Sequence, residues 1–420
     1  MTLVEKSIVT QDNELFSILD NLCFLSKNLY NSSLYQLRQH FFKNEKLDYG
    51  KLDKMFRSES QMDYKALPQK VSQHIIKLAC QSFSSFYALL KKKKKNEYSE
   101  KVRIPKYLDK ANGRQVIFYT NQAISIKNLK TDGFFTLSKV YNSNKELIKF
   151  YTNVDNIQFV RIVPKGNHIV VEVGYRVDEK HFKKYNKIAS IDLGLNNLAT
   201  VTTNFSEPFI INGKPLKYIN NEYNKQIVKL KKSNYYCHNI EYRWTNRMYA
   251  VLFKRENRIN DYLHKASRSI VNYLVSNQID TLVIGKNNGW KQNINLGKIN
   301  NQNFVQIPFN RFIEMLSYKC MLAGIRCLLI EESHTSKCSF IDNESIEHHD
   351  KYLGKRISRD LFYTKNNICI NADVNGSYNI MKRWCQTNNS PEYISKTLSK
   401  YNICQNPKII TIDANSKNVI

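Results

Sequence analysis

Asp192 closes an apolar run, Lys187-Ile-Ala-Ser-Ile-Asp192, which turns through Gly194 into a second apolar run. Asp373 stands at the head of an amphipathic stretch, Ile370-Asn-Ala-Asp373-Val-Asn-Gly-Ser-Tyr-Asn-Ile380. Two carboxylates, each at the edge of an apolar element, suggest oxygen ligands converging on hard divalent cations. Such ions stabilise both the attacking water and the leaving oxygen of a phosphodiester. Read singly, Asp192 is also a reasonable turn residue and Asp373 a reasonable helix N-cap. Read together, they make the chain a candidate nuclease.

The composition agrees with a phosphodiester substrate. Lys and Arg total 64 against 36 acids, a formal net charge of +28, which favours a polyanionic partner. A membrane surface is the rival, but no run of 18 apolar residues exists and no basic amphipathic terminus stands out. The opening Met1-Thr-Leu-Val-Glu-Lys lacks the apolar core of a signal peptide. The expected location is therefore cytoplasmic, nucleoid-associated in a prokaryote. Nine scattered cysteines suit a reducing compartment.

The elements that must position the two aspartates follow from periodicity. Residues 12–96 are helical, with Leu15, Ile18, Leu22, Leu25 and Leu29 at helical spacing. Lys91 to Lys95 form a lysine run that is either a solvated helix end or a phosphate contact. Between 103 and 186 the pattern shortens to strands such as Val116–Tyr119, Phe134–Leu137 and His168–Val173, which predict a small barrel or sandwich. Aromatics interleave with cations there, as base stacking beside phosphate neutralisation requires. From 187 onward the chain reads as one α/β domain. Strands at 187–192, 197–203 and near 208–212 precede a helical region over about 221–278 with a cationic face. A strand at 280–284, a helix near 308–323, a strand at 325–330 and a helix opening at Asp373 follow. That order is ribonuclease-H-like. Residues 386–420 read as a loose tail.

Residues 187–383 resemble the nuclease half of the TnpB family, the OrfB transposase-like proteins. The same RuvC-like domain occurs in type V CRISPR effectors and Fanzor proteins. The likeness rests on Asp192-Leu-Gly, the Arg258 to Ile270 helix, Thr335-Ser-Lys-Cys338 and Asp373-Val-Asn-Gly-Ser-Tyr-Asn-Ile380. Leu67-Pro-Gln-Lys-Val71 and Arg103-Ile-Pro-Lys-Tyr107 resemble the family's helical recognition module and barrel. The resemblance implies a multidomain α+β chain: residues 1–186 bind nucleic acid, and 187–385 form the RuvC-like domain. It also implies a guide RNA, a DNA target cut beside a transposon-adjacent motif, and two magnesium ions.

Two departures matter. The family's usual third acid ends the fourth strand, where this chain has Leu282-Val-Ile-Gly285-Lys286 and no acid. Glu331 and Glu332 end the next strand. Neighbouring strands lie about 4.8 Å apart, so a glutamate there must reach across the fourth strand, and Gly285 offers no side chain to block it. Glu332 is favoured by its three-residue offset from Thr335, giving Asp192, Glu332 and Asp373 as the expected catalytic and metal-ligating set. The second departure lies in an insertion at about 335–370, where relatives carry two Cys-x-x-Cys pairs for zinc. Here Cys338 stands alone, followed by Asp342, His348, His349 and Cys369, so zinc is not expected. The insertion reads as a metal-free basic loop with Lys351, Lys355, Arg356 and Arg359 near the cleft, the alternative being a rearranged site using Cys338 and a histidine. The resulting expectation is an RNA-guided, magnesium-dependent DNA endonuclease. The alternatives are a nuclease-inactive, RNA-guided DNA-binding repressor and a strand-transferring transposase.

Overall fold

The computed structural model describes residues 1–182, 186–238, 244–287, 306–388 and 406–412. They belong to two compact units, Met1–Val177 and Asp178–Ile420. Among the described residues no helix is long and apolar enough to cross a membrane.

The first unit begins with β1 (Thr2–Thr10), then α1 (Glu14–Phe42), α2 (Tyr49–Ser58), α3 (Met62–Ala66) and α4 (Gln69–Lys94). Asn13 starts α1 by accepting the Leu15 amide at 2.9 Å, which satisfies a donor the helix cannot pair itself. Lys91 to Lys94 fill the last turn of α4, where cations meet the negative end of the helix dipole. Seven further elements follow: β2 (Ile117–Thr120), β3 (Ile124–Ser125), α5 (Leu129–Asp132), β4 (Phe134–Tyr141), β5 (Leu147–Tyr151), β6 (Ile157–Pro164) and β7 (His168–Arg176).

The expected barrel is not found. Among the described residues these strands form two separate sheets, ordered β1-β7-β6-β2 and β3-β4-β5, and neither closes on itself. The physical reason lies in the core. Ile117, Val160, Ile162 and Val171 of the larger sheet share one apolar cluster with Leu19, Leu29, Ile75 and Phe83 of α1 and α4. Helices therefore cover the face that a barrel would have closed by curling. Sequence reading also missed β1, which pairs antiparallel with β7 from Thr2 opposite Arg176 to Thr10 opposite His168.

The second unit is built on a six-stranded sheet. Its strands and helices are β8 (Ile188–Leu193), β9 (Asn197–Thr203), β10 (Phe209–Asn212), α6 (Lys214–His238), α7 (Asn246–Ser276), β11 (Thr281–Gly285), α8 (Phe309–Ala323) and β12 (Arg326–Ile330). The insertion adds β13 (Lys355–Arg356), β14 (Leu361–Tyr363) and β15 (Cys369–Asn371), before α9 (Ala372–Thr387) and β16 (Lys408–Ile410). The sheet order is β12-β11-β8-β9-β10-β16. β9 runs antiparallel to both neighbours, while β11 and β12 run parallel to β8. Part of the expected tail is therefore structured, since β16 pairs in parallel with β10. Residues 389–405 and 413–420 of that tail lie outside the described residues.

Strand alternation decides what each face meets. Ala189, Ile191, Leu193, Leu282 and Ile284 share a cluster with Leu263, Ile270, Phe312 and Leu316 of α7 and α8. Ile188 and Val283 point the other way and pack on Ile380, Met381 and Cys385 of α9. By the same alternation Asp192, Gly285 and, beyond Ile330, Glu332 fall on the α9 face.

A candidate active site of three carboxylates

β8, β11 and β12 run in the same direction, so their carboxyl ends share one edge of the sheet. That edge of an open parallel sheet is where ligands are usually bound. Asp192 lies near the end of β8, Gly285 ends β11, and Glu332 follows β12 by two residues. Asp373 sits in the first turn of α9. Asn371, not Asp373, is the N-cap of that helix, accepting the amides of Asp373 and Val374 at 3.0 and 3.2 Å. Asp373 is thus spared the capping role that its position in sequence suggested.

Asp373 and Glu332 are close enough to Asp192 to raise its proton affinity. Burial pushes the Asp192 carboxyl well above the ordinary range, and the charges of Asp373 and then Glu332 add to it, while Arg356 opposes. Burial also lifts Glu332 to about 7. Its Oε2 is buried and has no hydrogen-bond partner, a costly state for a carboxylate. A Cβ at Gly285 would lie 2.7 Å from that same Oε2 and 2.4 Å from Ile380 Cδ1. The Glu332 side chain therefore runs through the space a side chain at Gly285 would occupy. Glu331, by contrast, is exposed and accepts a hydrogen bond from Ser333 Oγ at 2.6 Å.

Backbone and side-chain bonds hold this arrangement. The Glu332 amide donates to Asn287 Oδ1 at 3.0 Å, and Thr335 Oγ1 donates to the Glu332 carbonyl at 2.8 Å. Asn197, which opens β9, donates to Asp373 Oδ2 at 2.7 Å. Arg356, from the insertion, pairs with Asp373 Oδ1 at 3.2 Å. α9 can approach Asp192 because Gly376 faces it: a Cβ there would lie 2.8 Å from Asp192 Oδ2. Ser190 then ties sheet to helix, bonding Thr202 Oγ1 at 2.6 Å and the Ser377 carbonyl at 2.7 Å.

The donor set fits a hard divalent cation. It consists of carboxylate oxygens that repel one another, one of them buried and unpartnered, which is the condition a 2+ ion relieves. Among the described residues no three His, Cys, Asp or Glu side chains yet stand as a ready metal cluster. Asp373 is drawn instead to Arg356 and Asn197.

Around Cys338, His348 and His349 the insertion is organised by other bonds. Cys338 Sγ donates to the Glu347 carbonyl at 3.7 Å, His348 meets the His334 ring edge-on at 5.9 Å, and His349 bonds the Ser345 carbonyl at 2.9 Å. Asn375 and Asn379, one turn apart on α9, both reach the Cys338 carbonyl, at 2.9 and 2.7 Å. Asn379 also bonds the Thr335 carbonyl at 2.8 Å, and Phe340 stacks on Tyr378 at 4.7 Å. Glu344 takes the amides of Ser339 and Leu353 at 2.7 and 2.8 Å. Sequence reasoning missed Asn197, Asn375, Asn379 and Glu344. Only the Asn375/Asn379 spacing of four, on a helix already expected, offered a signal.

Known proteins agree with the TnpB likeness. Residues 168–291 match the family model OrfB_IS605, a probable transposase, and residues 309–380 match the TNB domain of Cas12f1-like proteins. The chain is 24% identical over 400 residues to the TnpB-like protein ORF457 of Acidianus two-tailed virus, covering 87% of this chain and 83% of that one. It is 26% identical over 220 residues to the CRISPR-associated endodeoxyribonuclease Cas12f2 of Micrarchaeota archaeon (strain CG1_02_47_40), covering 50% and 39%. Among solved structures, a Cas12f1–sgRNA–target DNA complex superposes with a TM-score of 0.47 at 13% identity, over 87% of this chain and 82% of that one. The mini-RNA-guided endonuclease Cas_phi3 gives 0.41 at 9% identity, over 91% and 92%. The chain is thus OrfB-like over residues 168–291 and Cas12f1-like over residues 309–380.

Proposed function

We propose that this protein is an RNA-guided, magnesium-dependent DNA endonuclease of the TnpB type, encoded by a transposon and cutting beside a short adjacent motif. The sheet order with α9 against β8 supports reading the second unit as ribonuclease-H-like. The observation that supports the proposal is that Asp192, near the end of β8, feels the charges of both Asp373 and Glu332, with the Glu332 carboxylate beside Gly285. The endodeoxyribonuclease named among the relatives supports DNA as the substrate. The net charge of +28 supports polyanionic partners, a guide RNA and a DNA target.

Asp192, Glu332 and Asp373 would hold the cations. When bound, these would neutralise charge on the attacking water and leaving oxygen. Asn197 orients Asp373 by holding Oδ2. Arg356 neutralises Asp373 and brings a guanidinium, a good partner for phosphate oxygens, to the site's edge.

Plasmid cleavage with the native guide RNA and Mg²⁺ tests the reading. Asp192→Asn, Glu332→Gln and Asp373→Asn should each abolish cutting and leave guided DNA binding intact. If the unaltered protein binds guided DNA but never cuts it, the chain is a repressor. If Glu332→Gln cuts normally and Glu331→Gln does not, the third acid is Glu331.

A further inference from the structure

α6 connects the acid site to a groove of different character. Lys217 Nζ donates to Asn196 Oδ1 at 2.8 Å, one residue before Asn197 opens β9. Tyr218, the next residue, lines a cavity of about 450 Å³ between the start of α6, α7 and the segment after β16 at Ile412. That volume falls within the roughly 300–1,000 Å³ usual for small-ligand sites.

The lining combines an apolar floor with a cationic rim. Pro215, Ile219, Tyr262 and Ile412 form the floor, and the Tyr262 hydroxyl is fixed by donating to the Asn212 carbonyl. Tyr218 is 60% exposed, with its hydroxyl tethered to Glu222 at 3.0 Å. Lys214, Arg258 and Lys265 make the rim. A second, smaller cavity shares Ile219 and Arg258 and adds Tyr223, Lys254 and Arg255. There the Arg255 guanidinium lies over the Tyr223 ring at 4.9 Å. Along the combined groove five cations face two acids, Glu222 and Asp261. Both acids are already paired, with Arg258 at 2.6 Å and Lys265 at 3.0 Å.

We propose that this groove holds unpaired nucleotides of a single-stranded polynucleotide, one base against Tyr218 and its flanking phosphates on Lys214 and Lys254, the lining lysines not engaged by Glu222 or Asp261. The proposal rests on the nucleic-acid substrate argued above and deepens it. Aromatic faces accept any unpaired base, and cations beside them track the backbone. Each cavity offers one tyrosine with cations in the same lining, Tyr218 in the first and Tyr223 in the second, which suits successive nucleotides better than one small molecule. A duplex keeps its bases stacked on each other, so it would gain only the charge contacts.

Anisotropy of fluorescein-labelled oligothymidylate and oligouridylate of about 20 nucleotides, longer than the roughly 4–16 of a typical single-strand site, tests this on the full chain in EDTA. A duplex of the same length is the control. Tyr218→Ala should weaken single-strand binding about tenfold, as expected for one lost stack, and leave duplex binding within about twofold. Tyr218→Phe should bind like the unaltered protein. Comparing DNA with RNA shows which strand the groove takes. The proposal fails if Tyr218→Ala binds single strands normally, or weakens single strands and duplex alike. In that case a protein that still cuts guided DNA leaves the endonuclease reading standing. A protein that binds no nucleic acid at all overturns both.

Discussion

Gly285→Ala perturbs one atom position between Glu332 and the rest of the site, while Gly285 itself carries no chemistry. The added methyl would sit 2.7 Å from Glu332 Oε2 and 2.4 Å from Ile380 Cδ1, where ordinary contact begins at 3.4 Å. Both neighbours are ends of flexible side chains, so the fold can yield at the low end of the overpacking range, about 1–2 kcal/mol. The carboxylate must retreat by about 0.7 Å, from 2.7 Å to ordinary contact. Misplacing a reacting group by about 1 Å can cost roughly 100-fold in rate. Cleavage should therefore fall about 10- to 100-fold, with guided DNA binding unchanged. Single-turnover cutting of a labelled target, alongside binding in EDTA and a thermal melt, separates these effects. In a Glu332→Ala background, where the obstructed carboxylate is gone, the melt of Gly285→Ala should lose only what Ile380 imposes. Normal cutting by Gly285→Ala alone would refute the reach of Glu332 across β11.

Two more predictions concern the framework. Lys319 is buried on α8, donating to the His264 carbonyl at 2.7 Å and Ser267 Oγ at 2.6 Å, and burial, with Arg268 nearby, lowers it to about 8. The unfolded chain then binds more protons between about pH 8 and its ordinary 10.5, so this group's contribution to stability rises with pH across that window, by about 3 kcal/mol; Lys319→Met should flatten that part of the pH–stability curve. Asn379→Ala removes two buried bonds to the insertion and should cost about 1–3 kcal/mol, seen as faster proteolysis within 335–371, whereas chelation of the unaltered protein should leave that digestion pattern as it was.

The second unit was legible because its signals are local. Apolar runs marked β8, β9, β11 and β12, and acids at the ends of two of them stood out against residues that must be buried. Gly285 was informative because an absent side chain only makes sense beside something that needs the space. What could not be read was set by distant pairing. β1 lies more than 150 residues from β7 in sequence, and its Thr, Glu, Lys and Ser hide the alternation. β16 follows a stretch of polar chain and is only three residues long. Barrel closure depends on what covers a sheet's inner face, and here α1 and α4 cover it. Arg356 and Asn197 find Asp373 across 17 and 176 residues, a relation that no spacing in the chain announces.

The position of Glu332 has a consequence for exchanging parts between relatives. The acid lies three residues before Thr335, where the insertion begins, and its carbonyl anchors that threonine. In a chain whose third acid ended β11, the insertion could be traded as a cassette without touching the ligands. Here a chimera joined upstream of 331 discards an acid, and one joined just after 335 cuts the anchoring turn. Grafts into this protein should therefore carry Glu332 and Thr335 together and keep glycine at 285, or else restore an acid at the end of β11.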